Sequence, residues 1–133
     1  MKFQTLVLAA AAALLSAHAP AATPTEIMAA YTAQAGGAPP QPERGRKLFT
    51  TNFGGTLGYS CSSCHGETPT GKGKDLVEER DITPLAPAAN PKRFTDKSKV
   101  ENAFRLNCKD IVGRLCTPAE KADVMAWLIS LKP

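Results

Sequence analysis

The sequence predicts an all-α fold of about four to five helices joined by long loops. Apolar residues recur at helical spacing, several of these runs start on a recognisable cap, and no stretch alternates with the period of a strand. A chain of 133 residues suits one small domain. Its start reads as something other than the fold. "MKFQTLVLAAAAALLSAHAPAA" has a positive Lys2, an apolar run from Leu6 to Leu15 and small residues behind it. That is a secretory signal, too short for a stable membrane span. Ala19-Pro20-Ala21 followed by Ala22 is the better cleavage site, so 1–21 is expected to leave and 22–133 to form the working domain.

Removing the leader takes Lys2 and His18. The sixteen Lys and Arg become fifteen against twelve Asp and Glu. A surplus this small implies neither nucleic acid nor a membrane surface as partner. One histidine, His65, is left. Export also places the four cysteines in an oxidising compartment, where pairing is expected. Only seven aromatic residues stay once Phe3 has gone, so the core is small and a cofactor or a staple helps it.

The elements follow in order. Thr23, Pro24 and Glu26 open a first helix with a capping box. Ile27, Ala30 and Tyr31 share a face, and Gly36-Gly37 end it. "APPQP", Ala38 to Pro42, is a stiff spacer. "ERGRKLFTTNF" predicts a second helix with Leu48 and Phe49 inward; Gly45 within it marks either a close helix–helix approach or a tolerated surface glycine. "GGTLGYS" is a loop into Cys61. From Gly66 to Asp96 helical periodicity is weak, which predicts a long wrapping loop of the kind that carries function. Ser98 and Glu101 predict a capping box for a helix whose Val100, Ala103, Phe104 and Asn107 make one face. Thr117, Pro118 and Glu120 start a last helix striped by Val124, Trp127, Leu128 and Leu131.

The informative motif is "CSSCH". Two cysteines three apart lie on one helical turn, where both thiols can add to the vinyl groups of a haem. His65 is then aimed at the iron as proximal ligand. One covalent haem c on Cys61 and Cys64 is therefore expected. The competing readings are a redox disulfide, which lacks its usual α/β context, and a four-cysteine zinc site, which the wide second spacing disfavours.

The other axial position has few candidates. No second histidine remains, and Met28 and Met125 lie on the first and last helices, where core packing is the ordinary role. Six lysines between Lys72 and Lys109 read as a solvated face, although one could reach the iron. Cys108 and Cys116 are better explained as partners in a disulfide, worth about 2–3 kcal/mol on the chain-entropy model. Asn107 directly precedes it. It reads either as a helix C-cap satisfied by backbone or as a donor to the metal.

"ERGRKLF", "CSSCHG", "PLAPAANPKRFTD", "NCKDIVGRLC" and "TPAEKADVMAWL" together resemble the sphaeroides haem protein family. These are oxygen-binding monohaem c-type cytochromes related to cytochrome c-double-prime, and the match runs from about Thr23 to Leu131. The resemblance implies a class I-like cytochrome c fold in which first and last helices pack together. It implies His65 as proximal ligand, Asn107 as distal ligand of the oxidised iron, and Cys108–Cys116 as the family's disulfide. Cytochrome c-double-prime has a histidine where this chain has Asn107. An amide oxygen is a hard, weak donor, tolerable to ferric iron and poorly matched to ferrous iron. The expected function is therefore a periplasmic cytochrome, a monomer, whose Asn107 is released on reduction so that O2, NO or CO can bind. The family suggests a membrane-linked redox partner such as a dihaem cytochrome. A non-enzymatic role is expected, because no distal histidine is available for acid–base work. The rival expectations are a plain electron shuttle with a Met or Lys ligand, and a haem enzyme or sensor acting on O2, NO or peroxide.

Overall fold

The computed structural model describes residues 21–133. The expected leader lies outside the described residues except for Ala21. Five α-helices follow: α1 (Pro24–Gln34), α2 (Pro42–Thr50), α3 (Cys61–His65), α4 (Lys97–Asn107) and α5 (Pro118–Ser130). One π-helical turn, Cys108–Val112, continues α4. This is the expected all-α fold. No strand pattern is visible in the sequence, yet Gly73–Lys74 (β1) and Asp81–Ile82 (β2) pair as a short antiparallel ladder. Two residues a side are too few to show any periodicity.

The helix starts follow their local chemistry at both ends of the chain. Thr23 with Glu26 and Thr117 with Glu120 close the two expected capping boxes, each with proline in the first turn. The cap expected at Ser98 is different. α4 starts two residues earlier and is capped by Asp96, whose Oδ1 accepts from Lys99 N at 3.0 Å. Ser98 thus falls inside the first turn, and Glu101 is drawn away to another helix. α2 is also shorter than expected. Thr51 turns to extended backbone, and the Asn52 side chain binds Gly58 O and Gly54 N, at 2.7 and 2.9 Å, which folds the chain back.

α5 is the central element and packs against both α1 and α2. Toward α1 it builds a cluster of Ile27, Tyr31, Val100, Ala122 and Met125. Toward α2 it builds a second one of Phe49, Val124, Trp127 and Leu128. Leu131, expected on this stripe, lies just past the helix end and packs on the second cluster from outside. Gly45 resolves in favour of close approach. It is buried, and a Cβ there would meet the backbone carbonyl of Asp123.

The same contact carries the fold's buried charge. Asp123 is 4% exposed. Its carboxylate accepts from Gln41 N at 2.6 Å, Arg44 Nε at 2.6 Å and Arg44 Nη2 at 3.0 Å. A buried carboxylate is tolerable only when its lone pairs are so occupied.

α4 turns only part of its Val100–Ala103–Phe104–Asn107 face into this core, through Val100 and Phe104. Val100 is buried and Phe104 half-buried, but Ala103 and Asn107 are open. All four look into a cavity between α4 and the rest of the molecule.

Candidate haem and ligand-binding site

The "CSSCH" segment forms one helical turn because Ser60 caps it. Its hydroxyl accepts from Ser63 N at 3.2 Å, and Ser63 Oγ in turn accepts from Ser60 N at 3.1 Å. Cys61, Cys64 and His65 all line the cavity, whose volume is about 390 Å³, within the range of small-molecule sites. Its walls are mainly apolar: Leu48 and Phe49 from α2, Leu85 and Phe94 from the long loop, Phe104 and Ile111 opposite, and Val124 and Leu128 from α5. Two unpaired thiols and one imidazole facing an apolar chamber form the donor set that suits a covalently held haem.

Burial pushes the free Cys61 thiol up to about 11. A redox-active C-x-x-C needs a thiolate near neutral pH, so this environment argues against a disulfide-exchange site. His65 is held below its ordinary value by burial and by the charge of Arg93, with Asp75 opposing. A neutral imidazole is the ligating form. Its ring lies 6.1 Å from that of Phe49, which itself packs at a tilt on Trp127, with centroids 4.9 Å apart. The α2–α5 cluster thus buttresses the histidine.

The loop Gly66–Asp96 wraps this side of the cavity around the Pro84 carbonyl. That oxygen accepts from Arg93 Nε at 3.0 Å and Asn90 Nδ2 at 3.2 Å, while Arg93 Nη2 reaches Thr83 O at 2.9 Å. Pinned this way, the next residue, Phe94, adopts φ 58°. A left-handed conformation is an outlier for a bulky side chain and costs about 1–3 kcal/mol. The ring it aims lines the cavity and packs against both clusters.

The end of α4 and the π-turn also line the cavity. Cys108 and Cys116 are bonded, with Cα atoms 5.6 Å apart, and both are buried. Asn107 is helical, φ −65° and ψ −40°, so it is not a left-handed cap; that position falls to Gly113, φ 80°. Asn107 Nδ2 donates to Ala103 O at 2.8 Å, which leaves Oδ1 without a protein donor among the described residues. The π-turn is stitched to the loop that leads into Cys61. Gly55 N donates to Ile111 O and Leu57 N to Asp110 O, both at 3.2 Å.

The structure therefore brings Cys61, Cys64, His65, Asn107 and Cys108 to one cavity and leaves the other sulfur donors out. Met125 is fully buried in the α1–α5 cluster and Met28 packs against it; neither lines the cavity, nor does any lysine among the described residues. Three carboxylate residues do, and sequence reading missed them: Asp75, Glu78 and Asp110. Asp75 and Glu78 sit in a loop with no period to read. Asp110 lies three places beyond Asn107, where a helical count carried through the π-turn points to it.

The chain's matches to known proteins agree with this geometry. Residues 35–128 match a family model described as a domain of unknown function, DUF1924. The chain is 47% identical over 108 residues to cytochrome c-type protein SHP of Cereibacter sphaeroides, covering 80% of this chain and 82% of that protein. The structure of oxidised SHP, an oxygen-binding cytochrome c, superposes with a TM-score of 0.78 at 44% identity, over 84% of this chain and 99% of that one. Cytochrome c'' of Methylophilus methylotrophus is 39% identical over 139 aligned positions, 98% of this chain and 96% of that protein. Its solution structure, described for the structural basis of haem-ligand detachment, matches with a TM-score of 0.72 at 37% identity, over 83% and 94% of the two chains. A cavity lined by both a CxxCH turn and a disulfide-braced helix end thus belongs to a protein of known kind: this chain is a c-type cytochrome of the SHP and cytochrome c'' family, with a covalently attached haem c.

Proposed function

We propose that the chain is an exported monohaem cytochrome in which Cys61 and Cys64 hold the haem and His65 and Asn107 are the axial ligands. In this reading Asn107 lets go on reduction, and O2 or another neutral diatomic molecule takes its place. The observation that carries the reading is the Asn107 amide. Its nitrogen is bonded to Ala103 O and its oxygen is spare, on the wall of a cavity shared with Cys61, Cys64 and His65.

A haem held by Cys61, Cys64 and His65 would supply a redox-active iron. His65 offers an imidazole, a donor suited to either oxidation state, and the α2–α5 cluster holds it in place. The Asn107 oxygen is a harder, weaker donor, so its hold falls once an electron arrives. Phe94, Phe104 and Leu128 keep the chamber apolar, which favours a small neutral ligand over water. The helical backbone around Asn107, braced by the next residue's disulfide, keeps the amide close for its return.

The relatives support this assignment by what they are: SHP is described as oxygen-binding, and the cytochrome c'' solution structure concerns haem-ligand detachment. The leader over 1–21, a periplasmic working domain over 22–133, a monomeric state and electron exchange with a membrane-linked, dihaem type of cytochrome belong to the same proposal. A plain electron shuttle would need a methionine or lysine at the cavity, and among the described residues neither lines it; a second histidine for peroxide chemistry is likewise not among them.

Addition of CO to the reduced protein tests the reading through the Soret band. A CO-shifted band is expected. A reduced form that keeps its spectrum under CO overturns it.

A further inference from the structure

α4 carries Asn107 and meets the α1–α2–α5 bundle through Val100 and Phe104, so its setting there fixes where it presents the amide. Most of its polar side chains bond within the helix or to its cap. Arg105 donates to Asn102, Asn107 donates to Ala103, and Lys99 pairs with Asp96. Among the described residues, Glu101 is the one α4 residue whose side chain hydrogen-bonds to other helices. Its Oε2 accepts from Tyr31 Oη of α1 at 2.7 Å, and its Oε1 accepts from Lys121 Nζ of α5 at 2.7 Å.

Those partners are themselves held. Tyr31 is 2% exposed, and the Lys121 side chain is 12% exposed, with Nζ 5.1 Å from the Tyr31 ring centroid. Tyr31 also meets Phe104 edge to face, with centroids 5.8 Å apart and planes at 88°. Phe104 is one turn beyond Glu101 and one turn before Asn107, and it lines the cavity beside Asn107. Past Asn107 the helix is tied again, by Cys108 to Cys116. The amide therefore sits between two tethers, one polar and one covalent.

We infer that Glu101, gripped by Tyr31 and Lys121, is a positioning residue for Asn107: it fixes the setting of α4 at which the amide oxygen reaches the metal. The inference rests on the reading of Asn107 as axial ligand. A weak donor has little affinity to spare, so a small displacement of its helix is enough to weaken it against a competing ligand.

Azide titration of the oxidised holoprotein, followed by absorption, tests this because azide competes with Asn107. Tyr31→Phe keeps the ring on Phe104 and removes only the hydroxyl; Glu101→Gln removes the charge. Each is expected to raise azide affinity roughly three- to tenfold, the net range for one ordinary hydrogen bond, with a partial shift of the ligand-free ferric spectrum toward a weaker field. Arg44→Ala is the control. It breaks the α2–α5 ion pair with Asp123, lowers stability without touching α4, and should leave azide affinity within twofold. In an Asn107→Ala background, Tyr31→Phe should have no further effect. If Tyr31→Phe leaves both affinity and spectrum unchanged while Asn107→Ala alters them, the positioning role is overturned and the ligand reading stands. An effect of Arg44→Ala equal to that of Tyr31→Phe also overturns it, as does an effect of Tyr31→Phe that persists without Asn107. If Asn107→Ala itself leaves the spectrum unchanged, the ligand reading falls and this inference with it.

Discussion

Gly45 lies with its Cα against the backbone carbonyl of Asp123, so α2 and α5 touch main chain to main chain. A methyl group there would have to push through the carbonyl carbon and oxygen of Asp123 and the amide of Val124. Backbone at a helix–helix contact cannot rotate away as a side chain can. Gly45→Ala is therefore expected to destabilise the holoprotein by about 3 kcal/mol. Denaturant unfolding followed by circular dichroism measures this, and a loss below about 1 kcal/mol would mean that the two helices part easily.

Asn107→Ala should separate attachment from ligation. Cys61 and Cys64 are on a different element from Asn107, so the haem should stay on the protein in a denaturing gel. The ferric absorption spectrum should change to that of a five-coordinate or water-ligated iron. An unchanged ferric spectrum would return Asn107 to a purely helical role.

The Tyr31–Glu101 bond sets two limits on pH stability. Lys121, then Tyr31, hold the Glu101 carboxyl below its ordinary value of 4.5. A depressed acid stabilises the fold fully above its unfolded value, and that contribution is lost as pH falls through the lower, folded one. Burial, then Glu101, raise the Tyr31 phenol above its ordinary value of 10.0. That contribution is complete below the unfolded phenol value and is lost as pH rises beyond it. Tyr31→Phe should therefore flatten the alkaline fall in melting temperature, and Glu101→Gln part of the acid one. Parallel pH profiles for wild type and Tyr31→Phe above about pH 10 would contradict this account.

Replacing both Cys108 and Cys116 by serine opens a loop whose ends are eight residues apart. On the chain-entropy model this costs about 2–3 kcal/mol. Because Asn107 adjoins the bridge, the change should also weaken its hold on oxidised iron, read as tighter azide binding. Lost stability with unaltered azide affinity would make the bridge a staple alone.

Asp110 lines the cavity and forms no ion pair among the described residues. A negative charge close to a metal opposes the arrival of an electron. Asp110→Asn should raise the reduction potential, measured by spectroelectrochemical titration. An unshifted potential would mean that the carboxylate is screened by solvent.

The parts of the molecule that local chemistry controls were readable in advance. Thr23–Glu26 and Thr117–Glu120 each satisfy their own first turn, and "CSSCH" carries its meaning within five residues. Ser98 misled because Asp96, two places earlier, competes for the same role, and because Glu101 finds better partners in Tyr31 and Lys121 than a backbone amide. That preference is tertiary and leaves no local mark. The same holds for Phe94, whose left-handed backbone is imposed by Arg93 gripping Thr83 and Pro84 ten and nine residues away. Asn107 reads as an odd residue on an apolar face, and that face lines a cavity while its Val100 end also enters the core.

The π-turn at Cys108–Val112 has a consequence for how this segment can vary. An α-helix advances about 100° per residue, and a π-turn accommodates one residue more than the helical repeat needs. Deleting a single residue there would restore regular pitch and remove one carbonyl position of the turn, so Leu57 and Gly55 would no longer both find the carbonyls of Asp110 and Ile111. Most substitutions within the turn would do none of this. The stretch between the amide and Gly113 is thus a ruler: its length matters more than its lettering, and an insertion or deletion here detaches the loop ahead of Cys61 from the wall that faces it.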